Sequence, residues 1–182
     1  MKMSKSLMAA AVLAAASLGS SAVYAADISN GPKALALLDN TAFFGDSFAM
    51  NNSGNTFMDN FKFAVTGVPE NLDAIVSSIS DTATTGMDIT GLSLYKSGGS
   101  LITNGTLGSS GRMDIWTLSA DSLTAGNYYL KVSGTMVSNT GASFGGAVML
   151  NPVPEPETYG MMLGGLGVLG LLARRRKAAR QA

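Results

Sequence analysis

Residues 56–65 read TFMDNFKFAV, and this stretch decides the fold class because its side chains alternate between two faces. Phe57, Phe61 and Phe63 fall on one face, whereas Lys62 falls on the other. Such alternation is typical of a β-strand that has one face in an apolar core and the other in water. We therefore predict a strand over residues 56–65.

Further strands are predicted on both sides of this stretch. The surrounding sequence is rich in Gly, Ser, Thr and Asn, and turn residues separate its short apolar runs, a pattern that is typical of an antiparallel sandwich or barrel. The predicted strands cover residues 39–50, 89–95, 102–107, 112–118, 128–134 and 143–150, and residues 70–80 form either a strand or a short helix. The stretch 128–134 looks like the last or penultimate strand of a jelly-roll-like domain. The predicted fold is all-β: a single antiparallel β-sandwich, jelly-roll-like, over residues 26–150.

The N-terminus has the three parts of a secretory signal peptide. Lys2 and Lys5 supply positive charge, residues 7–18 are apolar, and Val23-Tyr24-Ala25 offers small residues to a signal peptidase. We predict that residues 1–25 form a signal helix that is removed after Ala25. The body is then exported across the inner membrane.

A proline-rich stretch and a second apolar stretch follow the body. Residues 151–158 read NPVPEPET, which predicts an extended and protease-accessible linker because each proline lacks a backbone donor and restricts the residue before it. Residues 159–173 carry no charge and are predicted as a membrane helix that rises roughly 22 Å. Tyr159 and Arg174 would lie at the two interfaces.

The last residues fix the predicted orientation. Residues 174–182 form a basic tail in which Arg174, Arg175, Arg176 and Lys177 are consecutive. Positive charge beside a membrane span is retained on the cytoplasmic side. The body is therefore predicted to lie outside the inner membrane.

The C-terminal order resembles a known sorting signal. Val153, Pro154, Glu155 and Pro156, followed by a glycine-rich apolar helix and an arginine run, are similar to the PEP-CTERM signal of Gram-negative bacteria, which is also labelled as the C-terminal domain of ice-binding proteins. This resemblance implies a protein that an exosortase recognises and cuts, and that accompanies exopolysaccharide.

A second resemblance lies in the body. Phe57, Asp59 and Phe61 match the F-x-D-x-F signature of one PEP-CTERM subfamily. Regular threonine arrays that would match an ice lattice are missing from the sequence, so we do not transfer the ice-binding label to the body.

Composition excludes several classes of function. Residues 26–150 contain five lysines and arginines against ten aspartates and glutamates, a net charge of −5, whereas a nucleic-acid-binding surface is basic. The chain has no histidine and no cysteine, so it lacks the usual general base, the commonest metal ligand and any disulfide. We predict no catalytic residues, no metal site, no cofactor and no nucleic-acid partner.

Asp59 is the polar residue of the body that needs an explanation. Alternation places it on the face of Phe57 and Phe61, where an unpaired carboxylate is costly to bury. One hypothesis is that it accepts hydrogen bonds from backbone donors of a neighbouring loop. The other is that it binds calcium together with backbone carbonyls and with Asp39 or Asp46.

The sequence predicts a transiently membrane-anchored protein that ends in the cell surface or the extracellular matrix. Its predicted role is structural or adhesive within an exopolysaccharide layer. The alternatives are a carbohydrate-binding module, with Tyr95, Trp116, Tyr128 or Tyr129 as exposed stacking platforms, and a cryptic hydrolase. Aromatic side chains aligned on one exposed face would favour the binding module, and a cleft with converging carboxylates would favour the hydrolase.

Overall fold

A computed structural model describes residues 25–67, 69–153 and 156–179. The predicted signal peptide lies outside these residues, except for Ala25. The described chain contains ten strands and one helix. They are β1 (Lys33–Ala34), β2 (Thr41–Phe48), β3 (Thr56–Val65), β4 (Glu70–Ile79), β5 (Met87–Lys96), β6 (Leu101–Asn104), β7 (Thr106–Ser109), β8 (Met113–Leu123), β9 (Gly126–Met136), β10 (Ala142–Pro152) and α1 (Pro156–Ala179).

The strands form two five-stranded sheets. Sheet I has the order β1-β3-β9-β5-β6, and sheet II has the order β2-β10-β4-β8-β7. All pairings are antiparallel except that of β1 with β3. Because β2 to β5 alternate between the sheets, as do β8 to β10, the arrangement is that of a jelly roll. The prediction of an all-β antiparallel sandwich is confirmed.

The core lies between the two sheets. Its inward-facing side chains repeat every second residue along the long strands, and a cluster of phenylalanines fills one part of it. The rings of Phe57 and Phe144 stack at 5.6 Å, Phe48 lies 4.5 Å from Phe57, and Phe44 lies 4.9 Å from Phe61. With no disulfide in the chain, this apolar packing holds the sheets together.

Strand β3 has the predicted bounds and the predicted faces. Phe57, Phe61 and Phe63 are buried and Lys62 is exposed, as their alternation requires. The open choice for residues 70–80 is decided in favour of a strand, because β4 is hydrogen-bonded on both sides within sheet II.

The predicted single strand over residues 102–107 is wrong. The chain forms two four-residue strands there: β6 pairs with β5 in sheet I, and β7 pairs with β8 in sheet II. Gly105 lies at the crossing, where its N–H donates to Leu92 O at 2.7 Å. A Cβ at this position would lie 2.8 Å from Thr117 O. The crossing between the sheets therefore depends on a close backbone approach that only glycine allows.

Residues 26–38, here called the N-terminal segment, run along the free edge of β3. Ile28 N donates to Thr56 O at 2.9 Å, and Leu35 N donates to Lys62 O at 2.7 Å. β1 is part of this segment and was not predicted from the sequence. The segment occupies an edge that would otherwise present unpaired backbone groups.

The C-terminal segment differs from the predicted linker. β10 continues through Pro152, and Val153 N donates to Pro69 O at 2.9 Å, so the sandwich extends beyond residue 150. α1 begins at Pro156, a residue that favours the first position of a helix. The predicted linker over 151–158 is therefore shorter than the sequence indicated.

The helix over residues 159–173 is present within α1. Within the described ranges, however, no helix combines the length and the apolar character that are needed to cross a membrane. The uncharged stretch ends at Arg174, which makes it shorter than the roughly 20 residues that a span requires. The structure thus supports the predicted helix but not the predicted membrane span.

Candidate functional site

Asp59 lies in the sandwich interior, with only 1% of its surface exposed. Its Oδ1 accepts a hydrogen bond from the backbone N–H of Asn30 at 2.7 Å. Asn30 belongs to the N-terminal segment, and a second contact beside it joins Met58 N to Ser29 Oγ at 2.7 Å. The carboxylate of Asp59 therefore fixes the N-terminal segment to β3, as the first of the two sequence hypotheses states.

The second carboxylate oxygen of Asp59 is buried and has no hydrogen-bond partner among the described residues. Asp46 of β2 lies beside it, and the Asp46 carboxylate accepts from Lys33 Nζ at 2.7 Å. Burial raises the pKa of Asp59 to about 6; the Asn30 N–H opposes this rise, and the negative charge of Asp46 adds to it. Asp59 is therefore largely neutral below pH 6 and ionised above it.

One aspartate of the calcium hypothesis, Asp46, lies next to Asp59, whereas calcium binding itself stays a hypothesis. Asp39 lies in the turn before β2, where its φ is 49°. Among the described residues, no group of three or more acidic side chains is placed to hold a metal ion. The arrangement around Asp59 is therefore a carboxylate pair with one lysine.

A second buried carboxylate was missed by the sequence analysis. Asp114 is 1% exposed and accepts hydrogen bonds from Ile89 N at 2.8 Å, Ser78 Oγ at 3.1 Å and Gly111 N at 3.1 Å. Its contacts join β8 to β5 across the sandwich. Asp88 lies nearby, and burial, assisted by the charge of Asp114, raises the pKa of Asp88. These contacts make Asp114 a structural residue.

Two of the four predicted stacking aromatics are not exposed platforms. Tyr128 is buried in the core, stacks with Phe63 and donates its hydroxyl to Thr124 O at 2.8 Å. Trp116 is half-buried, and its Nε1 donates to Ile89 O at 2.9 Å. Both side chains are held within the sandwich, so the prediction that they form a binding surface is wrong.

The other two aromatics lie together on the outer face of sheet I. Tyr95 and Tyr129 are direct cross-strand neighbours, with ring centroids 5.1 Å apart and planes 5° from parallel. Lys131 also contacts Tyr95: its Nζ is 4.6 Å from the ring centroid and donates to the Tyr95 hydroxyl at 2.9 Å. The contact is a cation–π interaction with an added hydrogen bond.

Strand register places polar partners around these rings. Lys62 lies opposite Tyr129 on its β3 side. Two rows of cross-strand neighbours result, which we call the tyrosine–lysine face: Lys62, Tyr129, Tyr95 and Leu101 in one row, and Asn60, Lys131, Ser93 and Asn104 in the next. The face is polar and aromatic, and it carries positive charge only.

A groove borders the tyrosine–lysine face on the β3 side. Its volume is about 450 Å³, and its lining includes Tyr129, Lys62, Asn127, Ser97 and Leu35. This volume is within the roughly 300–1,000 Å³ of small-ligand sites. Tyr129 and Lys62 belong both to the lining of this groove and to the tyrosine–lysine face.

The outer face of sheet II has a different character. Large apolar side chains are exposed along adjacent strands, with Phe43 at 82% and Ile79 at 73%. Ile75, Met113 and Met149 belong to the same face and are also exposed. A contiguous exposed apolar surface is typical of a site that contacts another molecule.

The residues of the predicted sorting motif adjoin the sandwich. Val153 is half-buried beside Pro69, and Pro156 begins α1, whereas Pro154 and Glu155 lie outside the described residues. In the predicted membrane-stop cluster, Arg174 is exposed; Arg175, Arg176 and Lys177 belong to α1, and their side chains lie outside the described part. Every described side chain of α1 is exposed.

Comparison with protein families identifies the C-terminal region. Residues 152–177 match the family described as the PEP-CTERM protein-sorting motif. The chain therefore carries a signal of exported proteins that are targeted to an exosortase. More specifically, this C-terminal motif has the Val-Pro-Glu-Pro, glycine-rich and arginine-rich order of the PEP-CTERM sorting motif. No curated protein matches the chain.

Solved structures show only distant similarity. The pre-peptidase C-terminal domain of a collagenase from Bacillus anthracis is 17% identical, with 65% of this chain and 95% of that chain covered and a TM-score of 0.38. The propeptide form of the Bacillus licheniformis lipase BlEst2 is 15% identical, with 64% of this chain and 23% of that chain covered and a TM-score of 0.39. A family 6 carbohydrate-binding module is 11% identical, with 67% of this chain and 97% of that chain covered and a TM-score of 0.27. Similarity at this level carries no argument about function.

Proposed function

We propose that this protein is an exosortase-processed component of the cell surface or the exopolysaccharide matrix, with a structural or adhesive role. The observation that carries the proposal is the PEP-CTERM motif at residues 152–177, which directly follows the last strand of a non-repetitive β-sandwich. In this proposal the sandwich is the exported cargo. The motif is the part that the processing enzyme recognises.

The geometry of the C-terminal segment supports processing by an exosortase. Residues 159–173 of α1 carry no charge, and the described side chains of α1 do not pack on the sandwich, so the helix is available to another protein. Pro154 lies between β10 and α1 in the sequence, and a proline disfavours a helical conformation of the residue before it, which favours access by a peptidase. A cut at or close to Pro154-Glu155-Pro156 releases the sandwich and leaves β10 intact.

The surface of the sandwich supports the structural or adhesive role. The exposed apolar side chains on the outer face of sheet II, Phe43 and Ile79 above all, provide area for contact with other matrix components. Two of the buried carboxylates, Asp59 and Asp114, have contacts that hold segments of the fold together. This distribution favours a scaffold over a hydrolase.

A second candidate function is carbohydrate binding through the tyrosine–lysine face. The supporting observation is the stacked pair Tyr95 and Tyr129, which lies on the outer surface of sheet I beside a groove. Aromatic side chains at a surface suit a ligand that has one apolar face and polar edges, as a sugar ring has. This candidate is compatible with a matrix location.

The sorting proposal predicts cleavage that depends on the Pro-Glu-Pro triplet. In cells with the matching exosortase, the mature protein is expected to lack the tail that includes Arg180, as measured by intact mass. Replacing Pro154, Glu155 and Pro156 together with alanine is expected to leave the tail attached. Pro152→Ala is the matched control: it removes a proline two residues earlier, within β10, and is expected to be processed normally. A wild-type protein that keeps its tail in the outer layers would show that the sorting proposal is wrong.

Export predicts a defined N-terminus at Ala26. Ala25 ends the Val23-Tyr24-Ala25 cleavage site predicted after the apolar stretch, and cleavage there leaves the N-terminal segment whole. In the folded protein Ala26 N lies 2.9 Å from Asn55 Oδ1, and Ala26 O accepts from Thr56 N at 3.0 Å. N-terminal sequencing of envelope material is expected to begin at Ala26. Protein that still carries Lys2 and Lys5 would contradict export through this signal.

A further inference from the structure

The tyrosine–lysine face differs in charge from the rest of the body. Residues 26–150 have a net charge of −5, yet the two rows of this face contain Lys62 and Lys131 and no aspartate or glutamate. Within the described chain, the one ion pair joins Lys33 and Asp46. Lys62 and Lys131 therefore have no carboxylate partner there.

The two lysines lie next to different rings of the stacked pair. Lys62 is directly opposite Tyr129, and Lys131, two residues after Tyr129 on the same strand, contacts the ring of Tyr95 on β5. The two lysines therefore border the stacked tyrosine pair. Tyr95 keeps Lys131 in place through its ring and its hydroxyl.

From this arrangement we propose that the tyrosine–lysine face binds a polysaccharide that carries carboxylate groups. A sugar ring stacks on the ring face of Tyr129 that borders the groove, and Lys62 and Lys131 bind the carboxylates of that sugar or the next. The inference rests on the second candidate function above and specifies its ligand. It does not depend on how the C-terminus is processed.

The chemistry of the face selects this ligand class over two others. A neutral glucan would use the ring of Tyr129 but would leave both ammonium groups without an anionic partner. A small inorganic anion would bind the lysines but would not use the aromatic surface. A uronate polymer uses both the ring of Tyr129 and the two ammonium groups, because each unit has a ring face to stack and a carboxylate that accepts charge-assisted hydrogen bonds.

The test compares two polymers on the purified full-length protein. Alginate, a uronate polymer, and dextran, a neutral glucan, are titrated against the chain in a calorimeter or an affinity gel at about physiological ionic strength. The inference predicts that alginate binds and that dextran binds about tenfold more weakly or not at all.

Variants separate charge from stacking. The double variant Lys62→Gln with Lys131→Gln keeps side-chain length and is expected to weaken alginate binding about tenfold without changing the affinity for dextran. Tyr129→Ala is expected to weaken binding of both polymers. Arg112→Gln is the matched control, since it removes a cation in the turn before β8 and is expected to leave alginate binding unchanged. Circular dichroism of each variant reports whether it is folded.

The outcomes distinguish the inference from the proposals it rests on. The inference is overturned if alginate and dextran bind equally, or if the double lysine variant binds alginate as tightly as the wild type. In either case the carbohydrate-binding candidate still stands if Tyr129→Ala loses binding. Binding of neither polymer overturns both the inference and that candidate. C-terminal cleavage alone decides the sorting proposal.

Discussion

Replacing Phe57 with alanine is expected to lower the free energy of unfolding by about 3–5 kcal/mol, the usual cost of emptying a phenylalanine site in a packed core. Phe57 is 1% exposed, and its ring packs against Phe48 and Phe144. Its ring also fills the space above Gly134, where an added Cβ would overlap with it. Because the site is enclosed by both sheets, the core cannot collapse to fill it. Thermal unfolding followed by circular dichroism is expected to show a midpoint lowered by about 10–20 °C.

Met58→Ala is the matched control for this prediction. Met58 is the next residue of β3, and it is 52% exposed because its side chain points away from the core. Its replacement is expected to cost at most about 1 kcal/mol. Equal losses in the two variants would mean that the faces of β3 are not assigned correctly, and the sandwich would then need a different register.

Replacing Asp59 with asparagine is expected to stabilise the protein at pH 8 by as much as about 3 kcal/mol, the free energy that corresponds to the rise in its pKa from 3.8 to about 6. Asparagine keeps an oxygen that accepts from Asn30 N. It replaces the unpartnered second oxygen of Asp59 with an NH₂ group that donates toward Asp46. The buried negative charge is removed, and its contacts are kept.

The pH dependence follows from the direction of the pKa shift. The folded protein holds the Asp59 proton up to about pH 6, whereas the unfolded chain releases it near pH 3.8. Burial of the neutral acid therefore favours the fold at low pH, and this contribution is lost as the pH rises through 6. The melting temperatures of the wild type and Asp59→Asn are expected to converge near pH 4, to separate between about pH 4 and pH 6, and to stay apart above pH 6. Shifts at Asp88 and Asp27 are common to both proteins and cancel in the comparison.

Two further variants test the assignment of Asp59. Asp59→Ala removes the acceptor for Asn30 N and is expected to lower the melting temperature at pH 4, where the wild-type side chain is neutral and only the hydrogen bond is lost. Asp121→Asn neutralises an exposed aspartate at the far end of β8. It is expected to change the melting temperature little at pH 4 or at pH 8. Destabilisation of Asp59→Asn by the same amount at both pH values would show that the fold requires a charged Asp59.

The sequence predicted those parts of the fold in which a local pattern carries the information. β3 has its predicted bounds because its alternation of phenylalanines with polar residues extends over the whole strand. The N-terminal segment was missed because its few backbone bonds to β3 leave no periodicity in residues 26–38. The division of β6 from β7 was missed because it depends on the close contacts of Gly105 with Leu92 and Thr117. These residues are distant in sequence, so no local pattern indicates the contacts.

The candidate site shows the same limit. Tyr128 and Tyr129 are adjacent on one strand, so they point to opposite faces and only one of them can belong to an exposed platform. The sequence alone shows that the two side chains point to opposite faces of β9. Which of them points outward depends on the pairing of β9 with β3 and β5. The contact between Asp59 and Asn30 joins residues 29 apart in sequence, and no local pattern predicts it.

The position of the N-terminal segment has a consequence for self-assembly. β3 is ten residues long and rich in phenylalanine, and such a strand with an open edge is a template for intermolecular pairing and amyloid-like growth. Residues 26–38 occupy that edge from within the same chain. This intramolecular cover is expected to act against fibril formation, because it occupies the backbone edge with which another chain would pair. We expect that a protease that removed these residues would open the edge of β3 to pairing with a second copy.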